Sequence, residues 1–427
     1  MENIYIISCK VVLYYILLIE TFLFSLEITI NILKKGLIKL FTLSNPVKLF
    51  FGKGSFEKLG EAVDGLGTKA LIVTGKSSAR KHGFLQKAIE LLAEKDIEAV
   101  PFEKVTPNPL STTVDEGVKV IKEKRCDLVI GLGGGSAMDT AKAIAICAVN
   151  EGKITDYQPG GKYADKEPEE TLPIVAVTTT AGTGSEYNRY LVITNVKTNE
   201  KPGIGYESTY PTVSIVDPRL MLTVPSEITA DTGVDVLFHA LEAYLSRESN
   251  RYSDLIAKEA IKLTVENLEA AIKDGKNIEA RTKMAWANTL AGQAIDIAGT
   301  VAIHAAGHPL SGHYDLTHGK TLAALGVTYL EQNYQADPEK FASLAKLLGY
   351  QGDNLSIEEL ASKSPEALRN FLQKINRNLR INDLVKINEE DIKKLARDTF
   401  KTMQGAVLNN PRPLNTDDIE NLYRESL

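Results

Sequence analysis

Cysteine is scarce in this 427-residue chain: Cys9, Cys126 and Cys147 are the only three, and no CxxC pair occurs. That excludes a disulfide framework and a cysteine zinc knuckle, and it fits a reducing, cytoplasmic setting. A basic surplus is missing too, since 49 Lys and Arg stand against 55 Asp and Glu, for a net charge of −6. Nucleic acid is therefore not expected as a partner. Glycine and proline show no period and no internal repeat is found, which excludes fibrous and solenoid architectures. What remains, 44% hydrophobic and 24% charged residues, is the composition of an ordinary packed protein. The length exceeds what one core usually fills, so two domains are expected.

A clean membrane span is also lacking. Residues 4–33 are almost wholly apolar and long enough to cross a bilayer, but Lys10, Glu20 and Glu27 break the run. A carboxylate near the centre of a span costs roughly 2.5–3.5 kcal/mol. Glu2 and the absence of an A-x-A cleavage pattern argue against a secretory signal. The leading expectation for residues 1–44 is an upstream region translated from a misplaced start, outside the working protein. A membrane tether and an unusual N-terminal helix are the alternatives, and membrane contact is expected only if the segment is genuine. The next methionine after Met1 is Met138, inside a motif, so a start near Leu37 to Leu43 would need a non-AUG codon.

From Asn45 the texture becomes regular. Apolar runs predict strands over 69–74, 97–102, 127–132 and 173–178, and helical periodicity predicts helices over 83–95, 113–124 and 136–150. Strands alternating with helices predict a parallel, doubly wound, Rossmann-like sheet with ligands outside the strand C-termini. After Asp217-Pro218 the strand texture stops, and residues 225–427 read as successive helices. The boundary is placed near Val224, giving an α/β domain over 45–224 and an all-α domain over 225–427.

The usual G-x-G-x-x-G fingerprint is absent, because position 136 is Ser. Gly133-Gly134-Gly135-Ser136 nevertheless joins a strand to a helix, where bare backbone and free N–H groups suit a pyrophosphate. A second polar turn, Thr178-Thr-Thr-Ala-Gly-Thr-Gly-Ser-Glu186, follows the next strand. Either turn alone is compatible with a tight turn that binds nothing; two at adjacent strand ends point to a cofactor crevice.

Histidine is rare, six in all, yet His304, His308, His313 and His318 fall within fifteen residues. His239 lies four residues after Asp235, and His304 and His308 repeat that spacing on another helix, which Pro309 is expected to end. Spacing of i, i+4 sets two side chains side by side on a helix, the geometry of metal ligands. One carboxylate with three imidazoles suits a borderline divalent transition metal with an open position. A hydrolase would use such a metal as well. Beside a nucleotide-type crevice, alcohol oxidation is the better reading, with the metal lowering the hydroxyl pKa and a nicotinamide taking the hydride.

Four segments, Gly133-Gly-Gly-Ser-Ala-Met-Asp-Thr-Ala-Lys142, Thr179-Thr-Ala-Gly-Thr-Gly-Ser-Glu186, Thr232-Gly-Val-Asp-Val-Leu-Phe-His-Ala-Leu-Glu-Ala-Tyr244 and His304-Ala-Ala-Gly-His-Pro-Leu310, together resemble the iron-containing (group III) alcohol dehydrogenases. The likeness runs from about Asn45 to the C-terminus and is nearest the NADP-linked butanol and propanediol dehydrogenase branch; Asn410-Pro-Arg-Pro413 and Asp417-Asp-Ile419 resemble the family's C-terminal pattern more weakly. It implies a dehydroquinate synthase-like fold and a homo-oligomer. It also implies Fe2+, with Zn2+ or another divalent ion as alternatives, held by Asp235, His239, His304 and His318. His308 matches the histidine that lines the substrate pocket and relays the alcohol proton. Gly134, Gly135 and Ser136, with Asp139 beside them, match the pyrophosphate turn; Thr179, Thr180 and Thr183 match the second cofactor turn. Lys201 falls near a cofactor-contacting lysine of the family. Tyr187-Asn188 departs from the small or β-branched residues usual there.

The turn after the strand over 69–74 resembles the family's selector of the cofactor's 2′ position. Gly75, Lys76, Ser77, Ser78 and Arg80 supply no acid and two cations, which predicts NADP(H) over NAD(H). The runner-up is a non-redox lyase of dehydroquinate synthase type, which needs many basic residues for a phosphorylated substrate. Around the metal motifs stand Trp286, Leu290, Ile295, Ile297, Val301 and Ile303 instead, predicting an apolar pocket for a simple alcohol or aldehyde.

Overall fold

The computed structural model describes residues 40–427, and the chain divides into two compact units, Met1–Leu43 and Ser44–Leu427. The expectations for the apolar N-terminal run up to residue 39 lie outside the described residues. Among those described, no helix is long and apolar enough to cross a membrane.

Within Ser44–Leu427 the first half is built on strands β1 (Lys48–Phe51), β2 (Lys69–Gly75), β3 (Glu98–Val105), β4 (Leu128–Gly133), β5 (Ile174–Thr178) and β8 (Val213–Val216). They form one sheet in the order β1-β8-β5-β4-β2-β3 with every neighbouring pair parallel. Strands β6 (Tyr190–Val192) and β7 (Gly203–Gly205) make a separate antiparallel pair. Helices of ten or more residues are numbered α1 (Phe84–Ala93), α2 (Ser111–Lys124) and α3 (Gly135–Val149) in this half. In the second half follow α4 (Ser226–Leu245), α5 (Arg251–Lys273), α6 (Ile278–Ala298), α7 (Ala302–Tyr314), α8 (His318–Asn333), α9 (Pro338–Leu347), α10 (Ser364–Lys374), α11 (Glu389–Thr402) and α12 (Thr416–Glu425).

The central strands read as unbroken apolar runs because both sheet faces are covered. Ala70, Ile72, Leu128 and Ile130 pack with Leu85, Ala88 and Leu92 of α1 on one face. Leu71, Val73 and Val129 pack with Val114 of α2 and Ile144 of α3 on the other. The helical half has its own core, in which α4 contributes Val234, Leu237, Phe238 and Leu241, all fully buried. A helix buried on nearly all sides needs no polar face.

The chain runs from β2 out to β3, then crosses back to β4 on the other side of β2. The loops leaving β2 and β4 therefore part at this switch point, where open parallel sheets bind ligands. Gly75 ends one of these strands and Gly133 the other. Two expectations are revised. The short strands β1 and β8 and the β6–β7 pair were not anticipated, and Pro309 does not end its helix: α7 continues to Tyr314. A proline inside a helix costs about 3 kcal/mol, but the turn around it is held by burial of His308 and Leu310. Tyr423 Oη and Thr321 Oγ1 donate to the carbonyls of Ala306 and Gly307 just before it.

Candidate functional site

Asp235 and His239 project from one face of α4, His304 and His308 from one face of α7, and His318 is the first residue of α8. Ligand atoms of Asp235, His239 and His304 all lie within 4.8 Å of one another. His304 Nε2 is 3.3 Å and His318 Nε2 3.8 Å from Asp235 Oδ1. These separations suit donors around one ion at about 2.0–2.2 Å from each. His308 stands beside the group, its ring centroid 4.9 Å from that of His318 and 6.2 Å from that of His304. His313, the remaining member of the histidine run, turns away to pair with Asp398 at 2.7 Å.

Three of the rings, those of His304, His239 and His308, are held through Nδ1. His304 Nδ1 meets Glu242 Oε1 at 2.5 Å, while Glu242 Oε2 accepts from the backbone N–H of Val301 and His304. His239 Nδ1–H donates to Gly182 O at 3.2 Å, and His308 Nδ1–H donates to Lys201 O at 2.8 Å. A carbonyl only accepts, so both rings carry their lone pair on Nε2. Glu242 was missed from the sequence, although Asp235, His239 and Glu242 fall at i, i+4 and i+7 on one helix face.

Burial leaves most of these rings neutral, the form that binds metal. It lowers His239 to about 4 and, helped by Lys201, His308 to about 3 and His318 well below its ordinary value. His304 differs: burial opposes its charge, but the carboxylates of Glu242 and Asp235 on its two sides raise it to about 9. Burial would raise Asp235, yet His239, His304 and Lys201 hold it below the usual carboxylate range. Two buried carboxylates facing one imidazole mark a place where a cation belongs, and His318 Nδ1 is buried with no hydrogen-bond partner. The residues present thus fit a divalent metal.

The two glycine turns meet at one edge of the sheet. Gly133 pairs with Thr178, and Thr179 N donates to Gly133 O at 2.9 Å. Gly134 and Gly135 are required by close approach: a Cβ on Gly134 would fall 2.9 Å from Thr180 Oγ1, and one on Gly135 2.3 Å from Thr183 Cγ2. Helix α3 starts at Gly135, so the N–H groups of Gly135 and Ser136 have no partner within the helix. Thr179, Thr180 and Thr183 remain partly accessible beside them.

Other sequence-derived candidates are placed differently. Asp139 is buried and turns inward, its oxygens accepting from Ser185 Oγ at 2.7 Å and Val192 N at 2.9 Å. Lys201 is buried by the histidines, with Nζ 2.8 Å from Asn108 Oδ1, and burial lowers it to about 8. Lys76, Ser77 and Ser78 are exposed beyond β2. Arg80 is not free there: Glu103 grips its guanidinium at 2.8 and 2.5 Å. The apolar residues expected to line a pocket are mostly core. Leu290, Ile295, Val301 and Ile303 are buried in the helical half, and Trp286 packs edge-on against Phe51 at 5.0 Å. A cavity of about 500 Å3 lies elsewhere, between Tyr157, Gly160, Asp165 and Tyr206. With Asp165 as its one ionisable group other than tyrosine, it lacks the chemistry that the histidine cluster has.

Comparison with known proteins bears on this arrangement. Residues 46–218 match the family model described as iron-containing alcohol dehydrogenase, and residues 229–427 match the C-terminal model of the same family. The chain is similar to the 1,3-propanediol dehydrogenase of Citrobacter freundii, 39% identical over 379 residues that cover 88% of this chain and 96% of that protein. It is 35% identical to the NAD-dependent methanol dehydrogenase of Bacillus methanolicus, over 90% of this chain and 98% of that one. Among solved structures, an archaeal halo-thermophilic alcohol dehydrogenase from a Red Sea brine pool superposes with a TM-score of 0.86 at 37% identity, covering 92% of this chain and 100% of its own.

Proposed function

This chain belongs to the iron-containing alcohol dehydrogenases, oxidoreductases acting on CH–OH groups, and from that premise we propose that it interconverts a simple alcohol and its aldehyde with NADP(H). The lyase alternative is thereby set aside. The observation that carries the reading is the buried carboxylate and histidine cluster joined through one turn, 179–184, to the glycine crevice. Asp235, His239, His304 and His318 are the residues we assign to the metal. Iron is inferred from the family; zinc would outbind it by the Irving–Williams order, so supply decides what is loaded.

When bound, the metal acts as a Lewis acid on the hydroxyl and the nicotinamide accepts the hydride. The chain's own groups do the rest. Gly134, Gly135 and Ser136 offer backbone N–H groups to the pyrophosphate, and Thr179, Thr180 and Thr183 supply hydroxyls across the crevice. His308, neutral and aligned by Lys201 O, presents Nε2 to receive the hydroxyl proton. Burial of the His239, His304 and His308 rings would limit competition by water there.

The NADP(H) preference rests on the turn after β2. With Arg80 neutralised by Glu103, Lys76 is the cation there without an ion-pair partner among the described residues. Ser77 and Ser78 add donors. The choice is argued from this turn alone, since a relative named as NAD-dependent is also 35% identical. A charge-assisted contact of about 1.5–3 kcal/mol predicts a preference for NADP(H) in kcat/KM of about 10–100-fold. A Cβ at Gly75 would meet only Val105 O at 3.8 Å, so Gly75→Asp fits and should move the preference toward NAD. Wild-type enzyme favouring NAD(H), or an unchanged ratio in Gly75→Asp, contradicts the assignment.

A further inference from the structure

Asn288, on α6 of the helical half, sends its side chain into the second cofactor turn. Its Oδ1 accepts from Gly182 N at 2.6 Å and from Gly184 N at 3.0 Å. Its Nδ2 donates to Glu186 Oε1 at 2.8 Å, and Thr289 Oγ1 donates to the same oxygen at 3.0 Å. A carboxylate oxygen on one side and two N–H groups on the other leave a single orientation for the amide. One helical turn on, Gly292 lets the turn dock: a Cβ on it would fall 2.5 Å from Gly184 O, and one on Gly184 2.4 Å from Gly292 Cα. The 181–182 and 183–184 peptides, which bracket the unit carrying the Gly182 carbonyl and Thr183, are thus fixed to α6. The carbonyl of the same Gly182 accepts from His239 Nδ1.

We propose that Asn288 is a positioning residue that pre-organises one turn for two sites, holding Thr183 for the nucleotide and the Gly182 carbonyl that aligns His239 for the metal. The inference rests on the metal and nicotinamide assignments above. Removing Asn288 leaves two buried N–H groups unpaired and the turn free to shift. His239 then loses its alignment until something else orders the turn, and nucleotide bound against Thr179, Thr180 and Thr183 does so. Ordering by the first ligand lowers what the second must spend, so the sites become more strongly coupled when the built-in support is gone.

The test is the rate of Zn2+ loss to a chelator from Zn2+-loaded protein, with and without saturating NADP+. Partners behind metal ligands typically contribute 10–100-fold to metal affinity, so Asn288→Ala should lose Zn2+ about tenfold faster without nucleotide. Saturating NADP+ should slow the loss about fivefold more in Asn288→Ala than in wild type, within the usual range of coupling. Shielding of the metal by bound nucleotide is common to both proteins and cancels in that ratio; a general loosening of the fold would not raise it. Asn288→Asp keeps the acceptor for both N–H groups but loses the donor to Glu186 Oε1; combined with Glu186→Gln, whose amide restores a donor across that contact, this aspartate variant should lose Zn2+ as Glu186→Gln alone does, which keeps the test usable if the alanine variant does not fold. A wild-type rate in Asn288→Ala, an equal NADP+ effect in both proteins, or a combined aspartate variant that loses Zn2+ as the alanine variant is expected to, overturns the proposal. Wild-type protein that takes up no Zn2+ or binds no NADP+ contradicts the functional reading itself.

Discussion

His308 and His304 sit one helical turn apart yet have different surroundings, and their substitution should differ accordingly. His304 lies between Asp235 and Glu242, whereas His308 is held by a backbone carbonyl. His308→Ala should keep its metal and lose about 10²–10⁴-fold in rate, the range of general acid–base contributions; metal loss equal to that of His304→Ala would make it a ligand. Glu186 permits a second prediction. It is buried with Oε2 unpartnered, and burial raises its carboxyl to about 7. A folded-state value above the unfolded one means that the stabilising protonated form is complete below about 4.3 and is lost as pH rises through 7. Wild type should therefore lose on the order of 3 kcal/mol between pH 4.5 and 8 relative to Glu186→Gln, read from denaturant midpoints; parallel curves for the two proteins contradict this. The i, i+4 spacings at 235/239 and 304/308 were legible because helical periodicity is local. The grip of Glu103 on Arg80, twenty-three residues away, was not, because nothing in either segment signals the other. Asn288 showed only as a polar residue in an apolar stretch of α6.

Among the elements, β2 to β5 and α1 to α3 were readable as apolar runs bounded by glycine and as 3.6-residue periodicity. Strands β1 and β8 have four residues each, too few to show a period, and they become strands by pairing with each other and with β5. Pro309 misled because a local rule met a buried segment, and packing of α7 outweighed the missing hydrogen bond. The start of α3 is where element geometry matters most for binding, since its free N–H groups are presented only if the two turns interlock. Gly135→Ala places a methyl against Thr183, and overpacking of about 1–3 kcal/mol should weaken nucleotide binding about tenfold. An unchanged Kd by nucleotide fluorescence titration would show that the turns do not need that contact.

At the scale of the whole molecule, the two halves meet at the turn 179–186, whose Gly182 N–H is held by Asn288 and whose Gly182 carbonyl accepts from His239. The stretch matched by the family models begins at residue 46, so the features argued above fall within the part shared with the relatives. The α/β and helical halves were evident in the sequence because a parallel sheet and a helical bundle differ in texture; their junction was not, being made of backbone groups. The central claim is that Asp235, His239, His304 and His318 hold the metal on which alcohol oxidation depends. Metal analysis of anaerobically purified wild type and His304→Ala, paired with alcohol-dependent NADP+ reduction on the same samples, tests it most directly. The account predicts about one divalent ion per wild-type chain and loss of both metal and turnover in a variant whose circular dichroism is unchanged. Full metal and full activity in His304→Ala would contradict it.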